Sequence, residues 1–158
     1  MSAPEPITEP VSDPDLSTLL ARGEHLARLA GCADCHTPAD ANGQPLPNMD
    51  FAGGFAVIGF GGKPVAAANL TSDASGIPYY DETTFLKTIR NGQIGARKLD
   101  AAMPWGDYRN MTDDDLKAIY AYIHQLKPVV HHVDNTIEPP TMCPICGQFH
   151  GAGDKNKK

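Results

Sequence analysis

Five consecutive residues, Cys32-Ala33-Asp34-Cys35-His36, carry the densest chemistry in the chain. Thiols three positions apart lie on neighbouring faces of one helical turn, so both can reach the vinyl groups of a single porphyrin. This is the C-x-x-C-H signature of covalent c-type haem attachment, with thioether bonds expected at Cys32 and Cys35. His36 follows directly and can bring an imidazole nitrogen to the iron as proximal ligand. A bare C-x-x-C reads as often as a metal or redox site, and the adjacent histidine turns the reading toward haem.

Haem iron with one imidazole still has a sixth position. A second strong ligand makes an electron carrier, whereas an open position permits small-ligand binding or catalysis. Met103 is the candidate, in Ala102-Met103-Pro104-Trp105 between two expected helices. Pro104 restrains the backbone beside the sulfur, so a thioether can be held at little entropic cost. Thioether ligation favours ferrous iron and raises the potential. Met49 and Met111 read as core filling. The bis-imidazole alternatives are His25, His124, His131 and His132, of which His25 and His124 read more simply as residues on helix surfaces.

A second C-x-x-C lies near the end, in Met142-Cys143-Pro144-Ile145-Cys146-Gly147-Gln148-Phe149-His150. No histidine follows it directly, so a second covalent haem is not expected. Three readings stay open. In an exported protein the plain one is a disulfide, within the pair or to another chain. Cys-Pro-x-Cys-Gly also resembles the metal knuckle of zinc ribbons and rubredoxin-like sites. Cys143, Cys146 and His150 would then hold zinc, with His131 or His132 as the fourth ligand and His132 the nominal one. The third reading is a thioredoxin-like redox pair, for which the tail offers no βαβ pattern. The metal reading is preferred slightly over the disulfide.

The elements that must position these groups are mostly helical. A first helix is expected over residues 17–30, capped by Asp15 or Ser17, with Leu19, Leu26 and Ala30 on one face. Residues 38–68 are rich in Gly, Pro, Ala and Asn. They read as a long loop around one haem edge, with short strands near 55–60 and 63–67 turning at Gly61-Gly62. A second helix fits residues 82–91, with Asp81 as N-cap and Gly92 as stop. The last, over residues 113–127, starts in a capping-box-like Thr112/Asp115 pair. Leu116, Ile119, Tyr120, Ile123 and Leu126 form its apolar stripe, and Pro128 ends it.

The 158 residues suit one domain with modest appendages. Residues 1–16 form a Pro-rich acidic linker, residues 17–130 the haem domain, and residues 131–158 a tail with the second cysteine pair. A formal charge of −6, made more negative by ionised propionates, disfavours nucleic acid and an anionic membrane surface as partners. No stretch is long and apolar enough to span a bilayer, and the N-terminus lacks a basic-then-apolar leader pattern. Haem attachment generally follows export. The expectation is therefore a mature or trimmed form of a periplasmic or exported protein, with any membrane tether outside this chain.

These residues resemble class I bacterial cytochromes c, and most of all the haem c domains that accompany periplasmic alcohol and aldehyde dehydrogenases. The likeness rests on residues 21–28 before the haem motif, 68–73, Gly76-Ile77, Phe85, Arg90-Asn91-Gly92, Ala102-Met103-Pro104-Trp105, Tyr108 and 114–122. It covers residues 17–130 and fades after Pro128. The resemblance implies an all-α class I cytochrome c fold. The first and last helices would cross near one haem edge, with Gly23 and Tyr120 or Tyr122 close to the crossing. It also implies that the segment around Asn69 and Thr71, and the Trp105 ring, lie near the haem propionates. Two buried carboxylates need donors, and Asn69, Thr71, Trp105 and Arg97 can supply them.

The function expected is single-electron transfer by one haem c. The donor would be a redox protein such as a dehydrogenase, and the acceptor an oxidase or another cytochrome. Lys87, Arg90, Arg97, Lys98 and Arg109 cluster in sequence around the Met103 region and can form a docking patch, with ordinary solvated charge as the equal alternative. The competing function is a haem enzyme or small-ligand-binding protein with an open sixth position.

Overall fold

The structure, a computed structural model, describes residues 6–157. Residues 1–5 of the expected linker, Pro4 among them, and Lys158 lie outside the described residues. Residues 6–17 are exposed and form no helix or strand, in keeping with their prolines.

Among the described residues, five α-helices and three two-stranded antiparallel ribbons make up the fold. The first helix, α1 (Leu19–Leu29), is capped by Thr18, whose hydroxyl accepts from the Ala21 amide. Asp15 instead accepts from the Ser17 amide one step upstream. The haem motif itself is a helical turn, α2 (Cys32–His36). The expected hairpin follows as β1 (Ala56–Ile58) and β2 (Pro64–Ala66), shorter than the sequence suggests. Helix α3 (Glu82–Asn91) has Asp81 as N-cap and stops at Gly92, which adopts φ +63°. A small ribbon, β3 (Gln93–Ile94) with β4 (Arg97–Lys98), leads to α4 (Trp105–Tyr108). Helix α5 (Asp113–His124) is capped by Thr112.

Helix α5 ends three residues before the expected boundary. Lys127 precedes Pro128, and a pre-proline residue disfavours the helical region, so the last turn unwinds early. The chain is also not purely α-helical. Its Gly- and Pro-rich stretches cannot sustain helices, and where two extended segments run side by side their backbone groups pair as ribbons.

The core is built where α1, α3 and α5 meet: Ala27, Phe51, Tyr80, Phe85, Ile89, Leu116, Ile119 and Ile123. Helices α1 and α5 cross at Gly23, where a Cβ would collide with the Ala118 carbonyl and reach within 2.9 Å of the Tyr122 Cβ. The expected crossing partner is thus Tyr122. Tyr120 turns to Phe85 instead, at 5.7 Å between ring centroids, and donates to the Tyr80 carbonyl. Arg22 and Asp115 brace the same crossing with an ion pair of 2.6 Å.

The tail is packed. Its strands β5 (Thr141–Met142) and β6 (Phe149–His150) form the third ribbon, followed by a 3-10 helix, Gly153–Asn156. Asn135 joins the tail to β2 by accepting from the Ala66 amide at 2.8 Å and donating to its carbonyl at 2.9 Å. One side chain thereby covers a sheet edge.

Candidate functional site

Two thiols and an imidazole occupy the single turn of α2. Cys32 is half-buried and Cys35 exposed, and none of the four cysteines is disulfide-bonded. The His36 ring is fixed by its Nδ1, which lies 2.7 Å from the Ala68 carbonyl oxygen. A carbonyl can only accept, so Nδ1 carries the proton and Nε2 keeps its lone pair. Burial holds this imidazole below the ordinary histidine range, with the bond to Ala68 acting in the opposite sense. A neutral ring with a free Nε2 is the form that binds a metal. The backbone is held as well, because Gly53 N donates to the His36 carbonyl at 2.6 Å.

Met103 lies half-buried in the loop between β4 and α4. Asp100 organises that loop: its carboxylate accepts from the Ala102 amide at 2.8 Å, and its carbonyl from Met103 N at 3.1 Å. Cys32, Leu70, Ile77, Met103, Tyr108 and Met111 all pack on the rim of the helical core. The thiol side and the thioether therefore pack against the same apolar core, which suits a porphyrin tethered at Cys32. Tyr108 ties the two sides together by donating to the Ala30 carbonyl, two residues before the motif. The donor set of Cys32, Cys35, His36 and Met103 fits haem c with imidazole and thioether ligands.

The expected propionate donors are placed differently. Asn69 and Thr71 are fully buried. The Asn69 amide donates to the carbonyls of Val129 at 2.9 Å and His131 at 3.2 Å, and its oxygen accepts from the Thr71 amide and hydroxyl. The Thr71 hydroxyl also accepts from Val129 N at 3.1 Å. Their polar atoms here staple the segment after α5. The Trp105 ring is half-buried against Gly92, with the Arg109 guanidinium 5.9 Å from its centroid. Arg97 is exposed on β4, near the Tyr80 hydroxyl.

Of the basic residues around Met103, Arg90 is engaged. It pairs with Asp113 at 2.5 Å and donates to the Arg109 carbonyl. Lys87, Arg97, Lys98 and Arg109 stay exposed. His124 is exposed at the end of α5 beside Tyr120, and His25 is half-buried on α1.

The tail brings a second set of ligand-type atoms together. Cys143, Cys146 and His150 converge with His131, and all four residues are buried. His132 is outside this group. Its backbone amide and carbonyl are held by the Asn156 side chain. Sequence spacing cannot separate adjacent histidines; the direction each takes in the extended chain does, and it favours His131. Burial pushes the Cys146 thiol up to about 12, with the neighbouring Cys143 adding to the effect. Asn156 touches Cys143 from 13 residues away, and nothing in the local sequence signals that contact.

Comparison with known proteins follows the same boundaries. Residues 18–123 match the family model described as cytochrome C oxidase, cbb3-type, subunit III. The fructose dehydrogenase cytochrome subunit of Gluconobacter japonicus is 38% identical over 125 residues, covering 77% of this chain and 24% of that protein. The cytochrome c subunit of a quinone alcohol dehydrogenase from Gluconobacter oxydans is 36% identical, covering 70% of this chain and 22% of its own. The gluconate 2-dehydrogenase cytochrome c subunit of Pantoea cypripedii is 38% identical, with 70% and 24% covered. The chain thus spans about a quarter of the length of the curated relatives it matches.

Proposed function

The chain belongs to the cytochrome c family described as cytochrome C oxidase, cbb3-type, subunit III, and from that premise we propose that it carries single electrons on one covalent haem c. Cys32 and Cys35 would hold the porphyrin, with His36 and Met103 as axial ligands. When bound, the haem supplies a reversible one-electron centre. The chain's own residues do the rest. Ala68 orients the His36 ring, Asp100 and Pro104 hold the Met103 loop, and the apolar rim keeps water from the ligands.

The observation that carries the reading is the His36–Ala68 bond, which presents Nε2 as a lone pair beside two thiols at haem-attachment spacing. The named relatives are cytochrome subunits of dehydrogenases. That supports a dehydrogenase-linked donor, with an oxidase or another cytochrome as acceptor. Lys87, Arg97, Lys98 and Arg109 supply exposed positive charge on an acidic molecule and suit the docking of an anionic redox partner. The chain would carry no bond-making chemistry of its own, and its place would be outside the cytoplasm. No helix among the described residues is long and apolar enough to cross a membrane.

Denaturing electrophoresis with haem staining tests attachment. Colour should stay with the polypeptide and vanish in the Cys32→Ser, Cys35→Ser double variant. Spectra test the axial pair. The ferric protein should show the weak far-red thioether band, and Met103→Ala should abolish it and admit carbon monoxide to the ferrous form. Rapid carbon monoxide binding by the unmodified protein would mean an open sixth position and the enzymatic alternative.

A further inference from the structure

The four atoms that converge in the tail are the Nε2 atoms of His131 and His150 and the sulfurs of Cys143 and Cys146. The ligand atoms of these residues lie within 4.8 Å of one another. His131 Nε2 is 3.4 Å from the Cys143 sulfur, and His150 Nε2 is 3.3 Å from the Cys146 sulfur. A tetrahedral zinc ion, with bonds of about 2.3 Å to sulfur and about 2.0 Å to nitrogen, sets sulfur–nitrogen edges of about 3.5 Å. The two measured edges match that size.

Each imidazole is oriented from behind. His131 Nδ1 lies 2.8 Å from the Ala52 carbonyl oxygen, and His150 Nδ1 lies 2.8 Å from that of Gly151. Both rings therefore keep the proton on Nδ1 and aim the Nε2 lone pair inward, the usual arrangement behind a metal-bound histidine. The sulfurs have donors too. The Ile145 amide and the Asn156 side-chain amide each lie 3.4 Å from the Cys143 sulfur, which suits a thiolate. Gly147 takes φ +69° and donates to the Cys143 carbonyl at 2.9 Å, closing the loop into a knuckle.

A disulfide would account for the cysteines but not for two buried lone pairs aimed at them. A pair of separate thiol–imidazole hydrogen bonds would account for two contacts but not for their convergence on one point. A second covalent haem would need a histidine directly after Cys146, where Gly147 stands.

We propose that His131, Cys143, Cys146 and His150 bind one zinc ion in a closed site that clamps the tail onto residues 52–54, the segment bonded to the haem motif. Binding expels the two thiol protons, and all four coordination positions are filled by protein, so the site is structural rather than catalytic. The clamp closes on a specific place. Gly54, at φ +94°, has no side chain because a Cβ would come within 2.5 Å of the His131 ring and 3.2 Å of the Cys146 sulfur. The same segment reaches the haem motif, since Ala52 holds His131 and the next amide, Gly53, donates to the His36 carbonyl. This last link, and only this link, rests on His36 as the iron ligand.

Elemental analysis of the full haem-loaded chain, purified without a histidine tag, tests the proposal. One zinc per chain should accompany one iron, and zinc K-edge absorption should give a shell of two sulfurs and two nitrogens. Cys143→Ser with Cys146→Ser should lower zinc at least about tenfold while iron stays at one, and His132→Ala should retain zinc. Three results would each overturn the idea: no zinc with the Cys143–Cys146 pair two hydrogens light, no metal with both thiols free, or a second iron in place of zinc. The absorption measurement needs no variant, so a double mutant that fails to fold leaves the proposal testable. Loss of covalent haem with zinc still at one per chain would count against the electron-carrier reading alone.

Discussion

The ring of His36 and the carbonyl of Ala68, 32 positions apart in sequence, are joined by a hydrogen bond of 2.7 Å. Ala68 follows the β1–β2 hairpin, so the orientation of the candidate iron ligand is set by a loop and not by its own helix. Gly54 N donates to the Ala67 carbonyl at 2.8 Å, and Gly53 N to that of His36. The loop therefore grips the histidine at both ring and backbone. Side chains that act on a metal need this kind of external support to hold one geometry.

Tyr108→Phe removes the hydroxyl that bridges to the Ala30 carbonyl. Stability should fall by about 1 kcal/mol, the usual net worth of one intramolecular hydrogen bond. Because α4 begins two residues after Met103, the same change should speed carbon monoxide binding by the ferrous protein. Urea unfolding and stopped-flow mixing measure the two effects.

Gly23→Val should be among the most damaging changes outside the haem motif. Its side chain would meet the Ala118 carbonyl, which belongs to α5 backbone and cannot rotate away. Overpacking of this kind costs about 1–3 kcal/mol, and more where backbone must shift. Thermal unfolding should show a lower midpoint, and Leu19→Ala, at an exposed position of the same helix, should leave it nearly unchanged.

Asp115 makes the helix crossing sensitive to acid. The Thr112 hydroxyl bond is the leading cause holding its carboxyl below the usual range, and Arg22 adds to it. A carboxylate lowered in the folded state contributes stability that is fully present above the unfolded value of about 4. That contribution is lost as pH falls through the lower folded value. Asp115→Asn should therefore flatten the acid limb of a stability–pH curve while costing most near neutrality. An unchanged slope between pH 5 and about pH 3 would remove the group from the account.

Asn69→Ala should free the segment after α5. The variant leaves the buried carbonyl of His131 without its donor and weakens the hold on the partly buried carbonyl of Val129, at about 1–3 kcal/mol for an unsatisfied buried polar group. Limited proteolysis should cut beyond residue 128 sooner than in the unmodified protein. Haem attachment at Cys32 and Cys35 should persist.

Much of the helical framework was legible in advance because its signals are local. Asp81 and Gly92 bracket α3, Thr112 caps α5, and the apolar stripe of α5 has helical period. The thiols and the imidazole of the haem motif are adjacent, so spacing alone groups them. What stayed hidden depends on long-range hydrogen bonds. Asn69 and Thr71 read as donors for a ligand because their types fit, and nothing local signals that Val129 and His131 fold onto them. The choice between His131 and His132 was likewise out of reach, since adjacent residues in an extended segment differ only in the side they face.

Several of the contacts that seat the tail go to the peptide groups of the domain beneath it. His131 takes the carbonyl of Ala52, and Asn135 takes both main-chain groups of Ala66. A fastening that recognises backbone makes few demands on side chains: Gly54 must stay small, and Asn69, Thr71 and Ser75 must keep their bonds to the backbone of Val129 and His131. The rest of the underlying surface is thus free to drift in sequence while its backbone path is kept. The tail is in this sense a transplantable cassette: grafting residues 129–157 onto another domain with the same loop would require counterparts of Gly54, Asn69, Thr71 and Ser75 rather than a matched apolar interface.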